Sequence, residues 1–250
     1  MAFWTLYKRE LSSYFQSVVA YIVLFGSALA QGVAFNWLAQ RISEQHYKDQ
    51  SVLQIFFTWP IFWILLFVQV PLITMRVFSE EFKLGTIEML LTAPVREWEI
   101  VLAKFFGALT FFLILWMPVA LDQTALQLFS NPPPPLTWGQ FGITALTVAL
   151  VGAFYTSLGV FTSVLTKNQI ISAVLCFAFI IATFFVALQK WGENLDATTL
   201  SWIAYVSLIE HFDHAVQGLF DTRPIVYYVS MTCLILLATQ RVLLGRRLKG

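Results

Sequence analysis

The stretch "SEEFKLGTIEMLLTAPVREWEIVLAK", Ser79 to Lys104, decides how the rest of the chain is read. It carries Glu80, Glu81, Lys83, Glu88, Arg96, Glu97, Glu99 and Lys104, while the long runs before and after it hold almost no charge. Ile87, Leu90 and Leu91 follow the i, i+3, i+4 spacing of one helix face, with Glu88 off that face. Gly85 before them is a flexible joint. Thr92-Ala93-Pro94 interrupts the helix, because a residue before proline avoids helical geometry, and Pro94 then suits the first turn of a new one. Glu97 and Glu99 fall near the positive end of that second helix, where acids are favoured. Val95, Trp98, Val101 and Leu102 carry its apolar face onward. The pattern predicts a short helix, a break, and a second helix feeding a greasy run. Two meanings fit this pattern. One is an amphipathic element that satisfies its backbone at a membrane surface. The other is a docking surface that sits in a groove of another protein.

The surroundings of this stretch are those of a membrane protein. The chain has 250 residues, 58% hydrophobic and 12% charged, with a mean hydropathy of +0.74. A soluble domain is nearer half apolar and a quarter charged. Too little charge remains to clothe a soluble surface, which leaves an all-α polytopic membrane protein. A crossing takes roughly 20 apolar residues, and six runs qualify, at about 17–39, 52–75, 102–122, 140–166, 169–189 and 224–243. They form a single six-span domain over residues 1–250. "TKNQ", Thr166 to Gln169, leaves room only for a tight hairpin between the fourth and fifth runs. "NPPPP", Asn131 to Pro135, cannot be helical and reads as a stiff rim outside the lipid. The N-terminal "MAFWTLYKRELSSYF" is interrupted by charge too early for a cleavable signal. Its Phe3, Leu6, Tyr7, Leu11, Tyr14 and Phe15 recur near helical spacing among Lys8, Arg9 and Glu10, so residues 2–15 read as an interfacial elbow helix. Cys176 and Cys233 lie in apolar runs as small packing residues.

Lysine and arginine in short loops set orientation. With both termini on the cytoplasmic side, that side collects Lys8, Arg9, Arg76, Lys83, Arg96, Lys104, Lys167, Arg241, Arg246, Arg247 and Lys249. The outer side keeps Arg41, Lys48, Lys190 and Arg223. Eleven against four places the opening stretch in the cytoplasm, in a plasma (inner) membrane protein.

"RVFSEEFKLGTIEMLLTAPVREWEIVLAKF" resembles the signature of ABC-2 type transporter permeases. The matching positions are Arg76, Glu80, Glu81, Gly85, Thr86, Ile87, Glu88, Leu90, Leu91, Pro94, Trp98 and Lys104. "SLIEHFDHAVQGLFDTRPIVYYVSM" is similar to the family's outer segment before the last span, with His211, Phe212, Gly218, Asp221 and Val226 in place. The gliding-motility-type permeases are the most similar branch. The resemblance implies a permease subunit with a coupling helix between spans two and three, paired with a second permease subunit as homo- or heterodimer. A separate cytoplasmic ABC ATPase would bind ATP and Mg, and this chain would hold no cofactor of its own. Independently, no G-x-x-x-x-G-K-[ST] phosphate cradle occurs in the sequence. On that reading Gly85, Ile87, Glu88, Leu91, Pro94 and Trp98 couple to the ATPase, and Arg76, Glu80 and Glu81 form an ion-pair network that orients the coupling helix. The chain is then no enzyme, and the substrate and direction of transport stay open. A rival function is a non-transporting scaffold that passes ATPase-driven motion to a cell-envelope machine.

Other patterns carry less. In "EHFDH", Glu210, His211 and His214 could share a helix face and hold a metal, or the segment is a short outer amphipathic helix. The second reading places Trp202, Tyr205, Phe212 and Phe220 in an interfacial belt. Ala145, Ala149, Ala153 and Ser157 form a small-residue stripe suited to helix packing, within the subunit or between subunits. Polar residues in the spans are few: Gln31, Asn36, Gln69, Asp122 and Gln123. No ionisable group stands clearly at mid-membrane, which counts against a proton-coupled carrier and an intramembrane hydrolase. His46 sits in the first outer loop. Nothing in the charge balance, net +1, points to nucleic acid, and lipid is the expected surrounding.

Overall fold

A computed structural model describes residues 2–43, 52–87, 95–129, 131, 137–188 and 205–247. Among these residues there is helix and no strand. That is what the bilayer demands, since a helix satisfies its own backbone where no water is present. The elbow helix α1 runs Ala2–Phe15 and turns at Gln16–Ser17 into α2, Val18–Ser43. Next come α3 (Val52–Thr58), α4 (Pro60–Thr74) and α5 (Ser79–Leu84), then the long α6 (Glu97–Phe129). The remainder is α7 (Trp138–Leu165), α8 (Gln169–Leu188), α9 (Leu208–Val216) and α10 (Thr222–Arg247).

Among the described residues, five helical stretches are long and apolar enough to cross a membrane: Val18–Gln40, Pro60–Leu84, Glu97–Phe129, Trp138–Leu165 and Thr222–Arg246. The expected fifth run, 169–189, is the further apolar helix α8, Gln169–Leu188, of 20 residues. The expected second span, 52–75, is not one rod. Pro60 has no N–H to give a preceding turn, so the helix stops after Thr58 and restarts with Pro60 in its first turn. The third span is longer than the apolar run 102–122, because the charged residues before it are already helical. The tight joint at 166–168 is as read, and the four prolines of "NPPPP", 132–135, lie outside the described residues, as do His46 and Trp202.

The bundle is closed by small residues and by amides. A Cβ at Gly152 of α7 would overlap the Phe112 ring of α6, and one at Gly159 would overlap the Thr74 side chain of α4. Close approach therefore requires glycine at both positions. The alanine stripe is a different face: Ala145 is exposed, Ala149 and Ala153 are half-buried, and only Ser157 is buried. The intramembrane glutamines stitch spans together, Gln31 donating to Ser27 Oγ (2.9 Å) and to the Leu115 carbonyl (2.9 Å), and Gln69 donating to the same Ser27 Oγ (2.7 Å). α10 lies along α7, and α1 along α6. Arg246 of α10 donates to the Leu165 carbonyl (2.7 Å) and sits over the Phe82 ring at 4.4 Å. The elbow helix and the end of α10 are thus at the same end of the bundle.

Candidate functional site

The charged stretch folds around one joint. α4 ends at Thr74, residues 75–78 form a turn, and α5 resumes at Ser79. A turn inside a span leaves backbone groups without helical partners, and each has to be met from elsewhere. The Ser163 hydroxyl of α7 accepts from the N–H groups of Phe78 (2.8 Å) and Ser79 (3.1 Å). Phe78, at the start of α5, has no side-chain cap of its own, so a serine from another helix caps it. The Val77 carbonyl accepts from Lys104 Nζ at 2.8 Å. The Ile73 carbonyl accepts from the Tyr14 hydroxyl at 3.1 Å. The joint is held by three neighbouring helices at once.

Lys104 is the centre of this arrangement. It is 3% exposed, at the start of an apolar helix, where an unpaired ammonium would be prohibitively costly. Its Nζ donates to Glu81 Oε1 (2.9 Å) on α5, to Glu10 Oε1 (3.1 Å) on α1 and to Val77 O. An ammonium has three donors, and all three are used. The Phe78 ring lies 5.2 Å from the same nitrogen. Arg9 adds a second cation, 3.1 Å from Glu10 and 3.6 Å from Glu81. Elbow helix, end of span two and start of span three therefore share one buried cation.

α1 can reach this point because Gly107 of α6 faces it: a Cβ there would stand 3.1 Å from the Glu10 Cβ. Tyr7 bonds Thr110 across the same contact (2.9 Å), and Tyr14 stacks on Phe111 with centroids 4.8 Å apart. Burial pushes the Tyr14 phenol well above its ordinary range, with the Glu10 charge adding to the shift and Arg76 opposing it. The hydroxyl so stays protonated and remains a donor to Ile73.

The expected ion-pair network of Arg76, Glu80 and Glu81 divides in two. Arg76 grips Glu80 with two 2.9 Å bonds and donates to Ser17 at 2.7 Å, tying span two to the elbow's exit. Glu81 points the other way, to Lys104 and Arg9. Gly85 ends α5 in the left-handed region (φ 71°), which only glycine enters freely. Ile87 is buried at 6% exposure, and Trp98 in the first turn of α6 is 42% exposed. Glu88, Leu91 and Pro94, with Leu90, lie outside the described residues. α6 begins at Glu97, after the non-helical Val95 and Arg96, so Pro94 does not stand in its first turn as expected; Glu97 and Glu99 do, and the Glu99 carboxylate accepts from the Arg96 N–H at 3.0 Å.

At the other end, "EHFDH" is split rather than gathered. His211 Nδ1 bonds the Tyr228 hydroxyl at 2.8 Å, while His214 lies 4.0 Å from Asp221. Burial lowers the His211 pKa to about 4, against the Glu210 charge, which raises it. Among the described residues no group of three or more His, Cys, Asp or Glu is placed to hold a metal. Phe212 is not at an interface as expected; at 2% exposure it is inside the core, against Phe57, Phe62 and Trp63. Tyr205 and Phe220 are exposed.

Two residues of the joint, Lys104 and Ser163, carry a role that the sequence pattern does not assign. Lys104 stood in the quoted signature, and a lone lysine opening an apolar run signals that a carboxylate must be near. Nothing in one sequence pairs it with Glu10, 94 positions away, or marks Ser163 as the cap of a distant helix. A family model described as "ABC-2 family transporter protein" matches residues 9–237, which takes in Arg9 and Glu10 of the elbow, the joint and most of α10. No curated protein matches the chain.

Proposed function

The chain belongs to the ABC-2 transporter family, and from that premise we propose that it is a permease subunit whose motion is driven by a separate cytoplasmic ATPase. Residues 85–98 form the docking element in this reading, with Gly85 as its hinge, the buried Ile87 as its anchor to the bundle, Leu91 as its apolar contact, Glu88 as its polar one, and Pro94 and Trp98 leading into span three. The joint end faces the cytoplasm, as the lysine and arginine bias requires. The observation that carries the reading is the shared cation. Because Lys104 binds Glu10, Glu81 and the Val77 carbonyl together, a push on the 85–98 element reaches spans two and three and the elbow as one body. The pair Arg76–Glu80 then sets the angle at which α5 leaves span two.

ATP and Mg belong to the partner in this scheme, and a second permease subunit completes the assembly. The test is Leu91→Arg, with Lys104 and its carboxylates left intact. The variant inserts into the membrane but no longer copurifies with the ATPase in mild detergent; retained copurification overturns the docking role. Reconstituted vesicles separate transport from the scaffold alternative: flux that depends on ATP supports the permease, and turnover without flux supports a mechanical role.

A further inference from the structure

Beside the joint, between α1, the first turns of α2 and the α4–α5 connection, lies a cleft of about 1020 Å³. That is at the upper end of the roughly 300–1,000 Å³ typical of sites for small organic molecules. Glu10, Glu80 and Glu81 line it together with Arg9, Arg76 and Lys104, so its polar wall is balanced in charge. Val19, Val23 and Leu72 form its apolar wall. The cleft opens at the start of α2, which is the end of a candidate span, beside α1, an elbow helix of the kind that lies at headgroup depth. From its mouth an exposed apolar ridge, Val18, Ile22, Phe25, Leu29 and Val33, climbs α2 at helical spacing. A polar chamber continuous with a greasy track has the shape of one amphiphile, headgroup inward and chains along the span.

We propose that this cleft holds one phospholipid whose headgroup carries both a phosphate and a primary ammonium. The balanced wall disfavours an anionic headgroup, which would need an excess of cations. The half-exposed guanidinium of Arg9 is the phosphate partner, since its planar fork suits phosphate oxygens. Glu81 keeps one carboxylate oxygen with no hydrogen-bond partner, and a buried acceptor of that kind calls for an N–H donor. A primary ammonium brings three such donors; a trimethylammonium brings none. Chain and headgroup are both needed, which distinguishes a leaflet lipid from a free phosphate ester.

The test is native mass spectrometry of the full chain from nanodiscs holding phosphatidylethanolamine, phosphatidylcholine and phosphatidylglycerol in equal amounts. One phosphatidylethanolamine per chain is retained, preferred about tenfold over each of the others, as one charge-assisted contact implies. Ser13→Trp, which fills the cleft from an exposed position with no bond of its own, removes it. Arg9→Gln weakens retention independently, should the tryptophan impair folding. Equal retention of the three lipids, none retained, or retention unchanged in both variants overturns the proposal. Binding of glycerophosphoethanolamine as tight as that of the lipid also overturns it, as does a crosslink from Ser13→Cys to a partner peptide in place of lipid. Neither the ATPase nor flux enters this readout, so its failure leaves the permease reading standing, and the reverse holds as well.

Discussion

The two ends of the bundle are held by different forces. At the elbow end, one lysine, three acids and two arginines meet around a broken helix, with bonds of defined length and direction. At the opposite end, Phe212 sits among Phe57, Phe62 and Trp63 with ring centroids 5.0–5.5 Å apart, and Trp63 meets Phe184 at 5.3 Å. Ring packing tolerates small slides, because many weak contacts replace one another. A buried cation with its donors all used does not: it is intact or broken. A bundle built this way can rock at its aromatic end while its charged end moves as a unit.

The sharpest way to break the contrast is Lys104→Met. It leaves the half-buried Glu10 and Glu81 facing each other, with Arg9 as a remaining cation beside them. The expected cost is about 3–5 kcal/mol, read as a lowered midpoint of thermal unfolding in detergent; an unchanged midpoint would contradict the central place given to this residue. At the other end, Phe212→Leu is expected to cost only about 1–2 kcal/mol, and that cost should be the same at low and high salt. A salt-dependent loss there would erase the distinction between the ends.

Ser163→Ala probes the joint without touching a charge. It strips the acceptor from two buried N–H groups, at about 1–2 kcal/mol. Hydrogen exchange at Phe78 and Ser79 should accelerate while exchange in α9 stays as it was. The smallest effect near neutral pH is that of His211. Its folded pKa, about 4, lies below its ordinary value of 6.5. The unfolded chain therefore binds the proton more readily between these values, and stability falls as pH drops through that window. Above about 6.5 the term is flat. Melting between pH 7.5 and 5 should show a smaller drop in His211→Gln than in the wild type; equal drops would mean that His211 contributes nothing.

Much of this was legible in the sequence. The spans, the elbow, the helix break before span three and the acids of the next helix's first turn follow from hydropathy, charge and backbone chemistry, which are local, although the restart falls at Glu97 rather than at Pro94. The break at Trp59–Pro60 was missed, because hydropathy runs straight through it although Pro60 carries the signal. What could not be read was partnership. Glu80 and Glu81 are neighbours in the chain but face different helices, because consecutive helical positions are about 100° apart. Phe212 follows the same spacing as the exposed aromatics around it, and only the position of α3 and α4 decides that it is covered. The alanine stripe and the glycine face of α7 are equally small in sequence, but tertiary contact selects the glycines for the close approach to Phe112 and Thr74.

The most direct test of the shared-cation account is a pair of distances in the complex with its ATPase. Spin labels go at Trp4 and Trp98, both exposed, with the exposed Cys233 replaced by serine and a third label at Tyr205 on the aromatic end. Across nucleotide states the account predicts a constant Trp4–Trp98 separation, while both change their distance to Tyr205. A Trp4–Trp98 distance that shifts with nucleotide in the wild type, as it is expected to do only in Lys104→Met, would contradict it.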